Sequence, residues 1–317
     1  MTRPRSASPR PGPPSRPPNV GWLPAVTKPL RGQVALVAGA TRGAGRAIAV
    51  SLGLAGATVY ATGRSVRGHP ATPNRPETVT ETAEIVRSYG GRAYGLKVDH
   101  TQEREVRRLV ERIRRTERGR LDILVNDIWG GEELVEWGRP PWTMSFEKGR
   151  TMLERGILTH VLTSRYAIPL MVRRKRGLVV EVTDGDHLEY RGSLYYDLVK
   201  TTVIRLALAH HLEFEEAGLR RMSAVAVTPG FLRSEFMLDQ FHVTEENWRD
   251  AAARVRRFEF SETPYFVARA VVALAADRNV HAKSGKVFGS WTLAKEYGFT
   301  DRNGTRPDWG RAFRAGR

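Results

Sequence analysis

From Gln33 onward, short apolar blocks alternate with longer stretches whose apolar positions recur at helical spacing. Val34–Val37 predicts a strand and Arg46–Leu54 a helix. Further strands are predicted at Thr58–Thr62, Ala93–Val98, Ile123–Val125, Leu178–Thr183, Met222–Val227 and Lys286–Phe288. Helices are predicted at Thr78–Tyr89, Thr101–Glu117, Met144–Arg173, Tyr195–Ala217 and Tyr265–Ala276. Most strand blocks are continuously apolar, as strands buried on both faces require. Strands alternating with helices build right-handed βαβ units, so the expected fold is α/β, with a doubly wound parallel sheet between helical layers.

Ahead of this pattern the texture differs. Residues 1–30 hold nine prolines among Arg, Ser and Gly and almost nothing to bury, which predicts a disordered Pro/Arg-rich tail. No second composition boundary follows, so residues 31–317 are expected to form one domain. A hydrophobic fraction of 41% supports a core of that size. The absence of Cys excludes disulfides, thiolate metal sites and a cysteine nucleophile. No uninterrupted apolar run reaches the ~20 residues that a membrane helix needs, and a cytoplasmic protein without a membrane partner is expected. The formal charge of +17 arises from 43 Arg and 8 Lys against 34 acids. Six of those cations lie in residues 1–31, and the rest share helices with glutamates, as on a solvated face. No aromatic-interleaved basic strand or recognition helix accompanies them, so no nucleic-acid partner is expected.

The turn after the first strand carries Gly39, Gly43 and Gly45 around Thr41, Arg42 and Ala44. Between a strand and a helix, such glycines allow a tight turn, close approach of a pyrophosphate, and close helix–strand packing. The helix N-terminus then offers free N–H groups to phosphate. A bland tight turn would also use glycines, but between the first strand and helix the pattern predicts the dinucleotide-binding start of a Rossmann-type sheet. No acid occurs from Ala55 to Pro76, where an NAD-type site places Asp or Glu on the ribose. Arg64 and Arg42 stand there instead, and a guanidinium suits a 2′-phosphate, so NADP(H) is the expected cofactor. No metal-ligand spacing stands out among the histidines.

Tyr196 and Lys200 lie four residues apart on one helix, hence on one face. A lysine ammonium beside a phenol favours the phenolate and is expected to lower the Tyr196 pKa from about 10. The phenol is then suited to exchange a proton with a carbonyl or alcohol oxygen as hydride moves.

On these residues the chain resembles the short-chain dehydrogenase/reductase family, over roughly residues 32–300. The match includes Gly39/Gly43/Gly45, Val98-Asp99, Leu124-Val125-Asn126-Asp127, Tyr196/Lys200 and Pro229-Gly230. Gly56–Arg64, Ser284–Val287 and Tyr297–Gly304 are most similar to a subgroup of the dehydrogenase/reductase member-one type. The resemblance implies carbonyl reduction or alcohol oxidation with NADP(H) and a homodimer or homotetramer built on the helices near 144–173 and 195–217. It also implies Asp99 near adenine and Asn126 supporting cofactor and sheet. Asp127 follows it in the cofactor loop, and Pro229, Gly230, Leu232 and Ser234 are placed near the nicotinamide.

Three positions depart from the family pattern. The loop Asn126-Asp127-Ile128-Trp129-Gly130 stands where the family has Asn-Asn-Ala-Gly. Asp184, preceded by Thr183, falls where the catalytic Ser belongs, and Gly156 where the tetrad Asn belongs. An ionised Asp accepts hydrogen bonds but cannot donate one to a substrate oxygen. Three readings follow: a protonated Asp184 donates, Thr183 supplies the hydroxyl, or hydride chemistry has been lost and the chain is an NADP(H)-binding pseudoenzyme or sensor. On the substrate side, His187 and Tyr190 precede the catalytic helix. Residues 232–263 match the family's substrate lid, with Phe236 and Trp248 as candidate contacts for an apolar carbonyl.

Overall fold

The structure, a computed structural model, describes residues 28–72, 75–187 and 189–314. The expected disordered segment lies mostly outside the described residues. Seven parallel strands form one sheet in the order β3-β2-β1-β4-β5-β6-β7. They are β1 (Val34–Ala38), β2 (Thr58–Gly63), β3 (Arg92–Lys97), β4 (Ile123–Asn126), β5 (Gly177–Val182), β6 (Met222–Thr228) and β7 (Val287–Gly289). The helices between them are α1 (Gly43–Leu54), α2 (Val79–Ser88), α3 (Glu103–Thr116), α4 (Phe146–Leu153), α5 (Thr159–Arg173), α6 (Leu194–Glu216) and α9 (Pro264–Ala276). The chain order reverses between β1 and β4, which leaves a crevice beyond their C-terminal ends.

The strands show why the sequence reads as a sheet buried on both sides. In β1, Ala35 and Val37 pack with α1, α2 and α9, while Val34 and Leu36 face α3 and α5. Successive side chains alternate faces, so a strand between two helical layers must be apolar throughout. The register Ala38↔Thr62, Ala38↔Asn126 and Asn126↔Glu181 aligns the strand ends at the crevice.

The long helix expected over 144–173 is divided. α4 and α5 are joined by a π-helical turn, Glu154–Leu158, centred on the buried Gly156. Such a one-residue bulge re-aims side chains near functional sites.

The C-terminal third holds elements that periodicity did not reveal: α7 (Glu235–Gln240), α8 (Arg249–Ala252), α10 (Ser290–Tyr297) and α11 (Trp309–Arg314). α7 and α8 belong to the segment expected as a lid. Trp248, Val243, Ala251 and Phe258 form its own small core, with Phe231 and Phe241 against it. The Arg233 guanidinium lies 4.1 Å from the Trp248 ring and donates to Glu245 and Ser261. Phe258→Ala is expected to cost about 3–5 kcal/mol through the cavity it leaves. Hydrogen exchange should quicken across 235–260 while the β1–β6 amides stay protected; unchanged lid protection would contradict this.

Candidate active site

A cleft of about 1050 Å³ runs along the C-terminal ends of the strands. At one end the β1–α1 turn contributes Gly39, Thr41, Arg42, Gly43 and Ala44. Gly39 has φ +93°, and a Cβ there would lie 2.1 Å from the Asp127 carbonyl oxygen. Only glycine is accommodated. Gly45 does not line the cleft. A Cβ on it would meet the Gly39 carbonyl oxygen at 2.3 Å, so its role is close packing of α1 on β1.

Arg64, from the end of β2, and Asp99, after β3, line the neighbouring wall. The Asp99 carboxylate accepts from the Thr101 N–H and hydroxyl. Arg75, which no motif in the sequence marks, also lines this wall. Folding brings Glu77 in as well: it accepts two hydrogen bonds from Arg75 and lies 3.4 Å from Arg42 Nε. The acid-free stretch therefore ends on a carboxylate that reaches back to the cations.

The middle of the cleft carries Thr183, Asp184, Tyr196 and Lys200. The α6 spacing places Tyr196 and Lys200 together, as helix geometry demands. Tyr196 Oη donates to Asp184 Oδ2 at 2.7 Å. Thr183 Oγ1 instead donates to the Lys200 carbonyl oxygen at 2.7 Å, so Asp184 is the one that faces the phenol. Arg191 fixes the intervening loop by donating to the Asp184 carbonyl oxygen and the Asp197 carboxylate. Nothing in its spacing signalled that role.

The electrostatics correct one expectation. Burial, and then the charge and hydrogen bond of Asp184, hold the Tyr196 phenol well above its usual value. The expected lowering by Lys200 does not prevail. Burial pushes the Lys200 ammonium down, opposed by the charges of Asp184, Asp127 and Glu132. Asp127 is itself raised to about 7 by burial, against the attraction of Lys200 and His160. Beneath this loop, His160 Nδ1 meets Glu181 Oε2 at 2.6 Å, and Glu181 Oε1 accepts from Asn126 Nδ2 at 2.9 Å. Asn126 is thus buried in the sheet's polar network and does not line the cleft.

Pro229, Gly230, Leu232, Ser234 and Phe236 close the opposite side. The other three substrate candidates lie elsewhere. Trp248 is turned into the lid core because its large apolar ring has Arg233 and Phe258 to cover it. His187 faces outward and pairs with Asp186 and Glu189, and Tyr190 is 57% exposed. Gly156 has no room for the family's Asn, since a Cβ would lie 2.6 Å from Val199 Cγ1.

The residues present suit a nicotinamide dinucleotide. Arg42 Nε is buried without a hydrogen-bond partner, 3.4 Å from the Glu77 carboxylate, and beside it the glycine turn presents the Gly43 N–H, held here by Glu235 Oε2 at 2.8 Å. Among the described residues no group of three or more His, Asp or Glu could hold a metal, and no helix is long and apolar enough to cross a membrane.

Comparison with known proteins identifies the family. The family model described as short chain dehydrogenase matches residues 33–243. Dehydrogenase/reductase SDR family member 1 of Mus musculus is 35% identical over 280 residues, covering 87% of this chain and 85% of that protein. Its Homo sapiens counterpart is 34% identical over the same shares. Among solved structures, a variant of actinorhodin polyketide ketoreductase with NADPH superposes with a TM-score of 0.64 at 24% identity. It covers 81% of this chain and 95% of its own. With its sheet order, its glycine turn and its Tyr196/Lys200 pair, the chain belongs to the short-chain dehydrogenase/reductase family of NAD(P)-dependent oxidoreductases, on the branch of the member-1-like proteins.

Proposed function

We propose that this chain is an NADP(H)-dependent carbonyl reductase, running in reverse as an alcohol dehydrogenase, on an apolar small-molecule carbonyl. The observation that carries the reading is Tyr196, its hydroxyl donating to Asp184 and its ring 5.5 Å from Lys200 Nζ, in the cleft that begins at the Gly39–Gly43 turn. Gly43 and Ala44 would hold the pyrophosphate through backbone N–H groups, and Arg42 and Arg64 the 2′-phosphate. Asp99 would sit towards adenine, and Pro229, Gly230, Leu232 and Ser234 towards the nicotinamide, with Asp127 and Asn126 beneath them. When bound, the nicotinamide supplies or accepts the hydride. Tyr196 Oη releases its proton to the oxygen of the carbonyl and recovers it from the alcohol, and Lys200 balances the charge that develops. Asp184 and Thr183 border that oxygen, and Phe236 offers an apolar wall.

One observation favours a second reading, an NADP(H)-binding pseudoenzyme or sensor. The Tyr196 proton is directed at Asp184 Oδ2, and a carboxylate there repels an oxyanion. Carbonyl-dependent NADPH oxidation over a substrate panel separates the two readings.

The Arg64→Asp, Arg42→Ala double variant tests the cofactor assignment. Each charged hydrogen bond lost to a phosphate is worth about 1.5–3 kcal/mol, so the NADPH-to-NADH affinity ratio should fall at least about tenfold. An unchanged ratio contradicts it. The same reading takes the protein as cytoplasmic and as a homodimer or homotetramer. Leu158 and Val161 at the π turn and α5, and Leu198 and Leu212 on α6, are 42–59% exposed and suit a copy of the chain. Light scattering showing only monomer at micromolar concentration refutes that assembly.

A further inference from the structure

We propose that Trp129 is a positioning residue for Lys200, its indole face holding the ammonium at the place where the family uses an asparagine-centred relay. The proposal rests on the reductase reading above. Two glycines make the space: a Cβ on Gly131 would lie 2.5 Å from Trp129 Cη2, and one on Gly156 would lie 3.2 Å from Trp129 Cζ3. By its resemblance to the family, Gly156 stands where the asparagine belongs, and the Trp129 ring fills space beside it. Lys200 Nζ lies 4.5 Å from the Trp129 ring centroid and 5.5 Å from that of Tyr196. Trp129 also packs edge-on against Tyr196 at 5.7 Å. Among the described residues the ammonium has two ring faces and no hydrogen-bond partner. A buried cation–π contact is stronger than an exposed one and favours the charged amine.

The charged and titratable groups around Lys200 are Asp184, Asp127, Glu132, Arg191 and Tyr196. None of them is altered by changing Trp129. With lysine labelled at Cε, NMR titration of the cofactor-free protein resolves at most eight lysines, and Lys200→Met identifies the one of interest. Trp129→Leu keeps apolar bulk without a π face and should weaken Lys200 proton binding about tenfold; Trp129→Phe should retain most of it. Because burial already lowers this group, the charged form is then lost at lower pH. The alkaline limb of kcat should move down with it while KM for the carbonyl holds. Gly156→Ala, which crowds the ring, should act in the same direction if Trp129→Leu fails to fold. Equal Lys200 midpoints in the wild type and the variants overturn the proposal. A shifted midpoint in a protein that reduces no carbonyl sinks the reductase reading and leaves the Trp129 contact standing.

A separate observation lies at the other end of the cleft. Glu235 and Asp239 stand one turn apart on one face of α7. Glu235 Oε2 accepts the Gly43 N–H at 2.8 Å, and Asp239 pairs with Arg75. We infer that α7 is a latch whose two carboxylates occupy positions suited to the cofactor's phosphates, so that NADP(H) binding and lid release are linked. In Glu235→Gln, Asp239→Asn, NADPH measured by fluorescence enhancement should bind about tenfold tighter than in the wild type. Exchange in α7 should quicken without any ligand. An equal affinity in variant and wild type overturns the latch, and absence of NADPH binding in both overturns it together with the cofactor assignment.

Discussion

Replacing Asp184 by serine is expected to raise kcat for carbonyl reduction by about 10²- to 10³-fold, the scale of one donor to a developing oxyanion. In the wild type, Asp184 Oδ2 accepts a hydrogen bond from Tyr196 Oη at 2.7 Å, which engages the acid's hydroxyl with a carboxyl oxygen. A serine hydroxyl can accept from the phenol and donate to the substrate oxygen at once. Asp184→Asn keeps donor capacity without charge and should also remain active. Both changes should bring the Tyr196 pKa down from its raised value, because one of its causes is the Asp184 charge. A phenol whose pKa is raised in the folded state contributes stability present below about pH 10 and lost as pH climbs towards the folded pKa. The variants should lose less of it on the alkaline side. Ultraviolet difference absorbance of the phenolate follows the titration, and steady-state NADPH oxidation follows the rate. Loss of turnover in both variants would mean that a carboxylate at this position acts as a charge or a base.

Tyr196→Phe should lower kcat by roughly 10²- to 10⁴-fold, the usual share of a positioned general acid. The ring keeps its packing against Trp129 and Trp137, so the fold should be retained. NADPH affinity should stay within about twofold, because only the hydroxyl is lost. Loss of rate with intact binding identifies a group that acts on the reacting oxygen. A variant as active as the wild type would place the proton source elsewhere.

What the sequence could decide here was local. Apolar strand blocks, helical periodicity and a glycine turn at 39–45 are short-range signals; the strands and five of the six expected helices stand close to where the pattern predicts them, and the sixth is divided into α4 and α5. Tyr196 and Lys200 share a face because four residues make about one helical turn, whatever packs around them. Tertiary structure decided whatever depended on which side of a strand end or loop a residue emerges. Thr183 and Asp184 are neighbours after β5, where successive side chains diverge; only the packing of α6 against β5 turns Asp184 to the phenol and Thr183 to the Lys200 carbonyl. Phe236 and Trp248 look alike as lid aromatics, yet the lid's own core claims Trp248. Arg75, Glu77 and Glu235 reach the nucleotide end of the cleft from loops and a short helix with no periodicity to read. Gly156 reads as a missing side chain in the sequence, and becomes the space for Trp129 only once α4, α6 and the loop after β4 meet, because such a vacancy is defined by neighbours far apart in the chain.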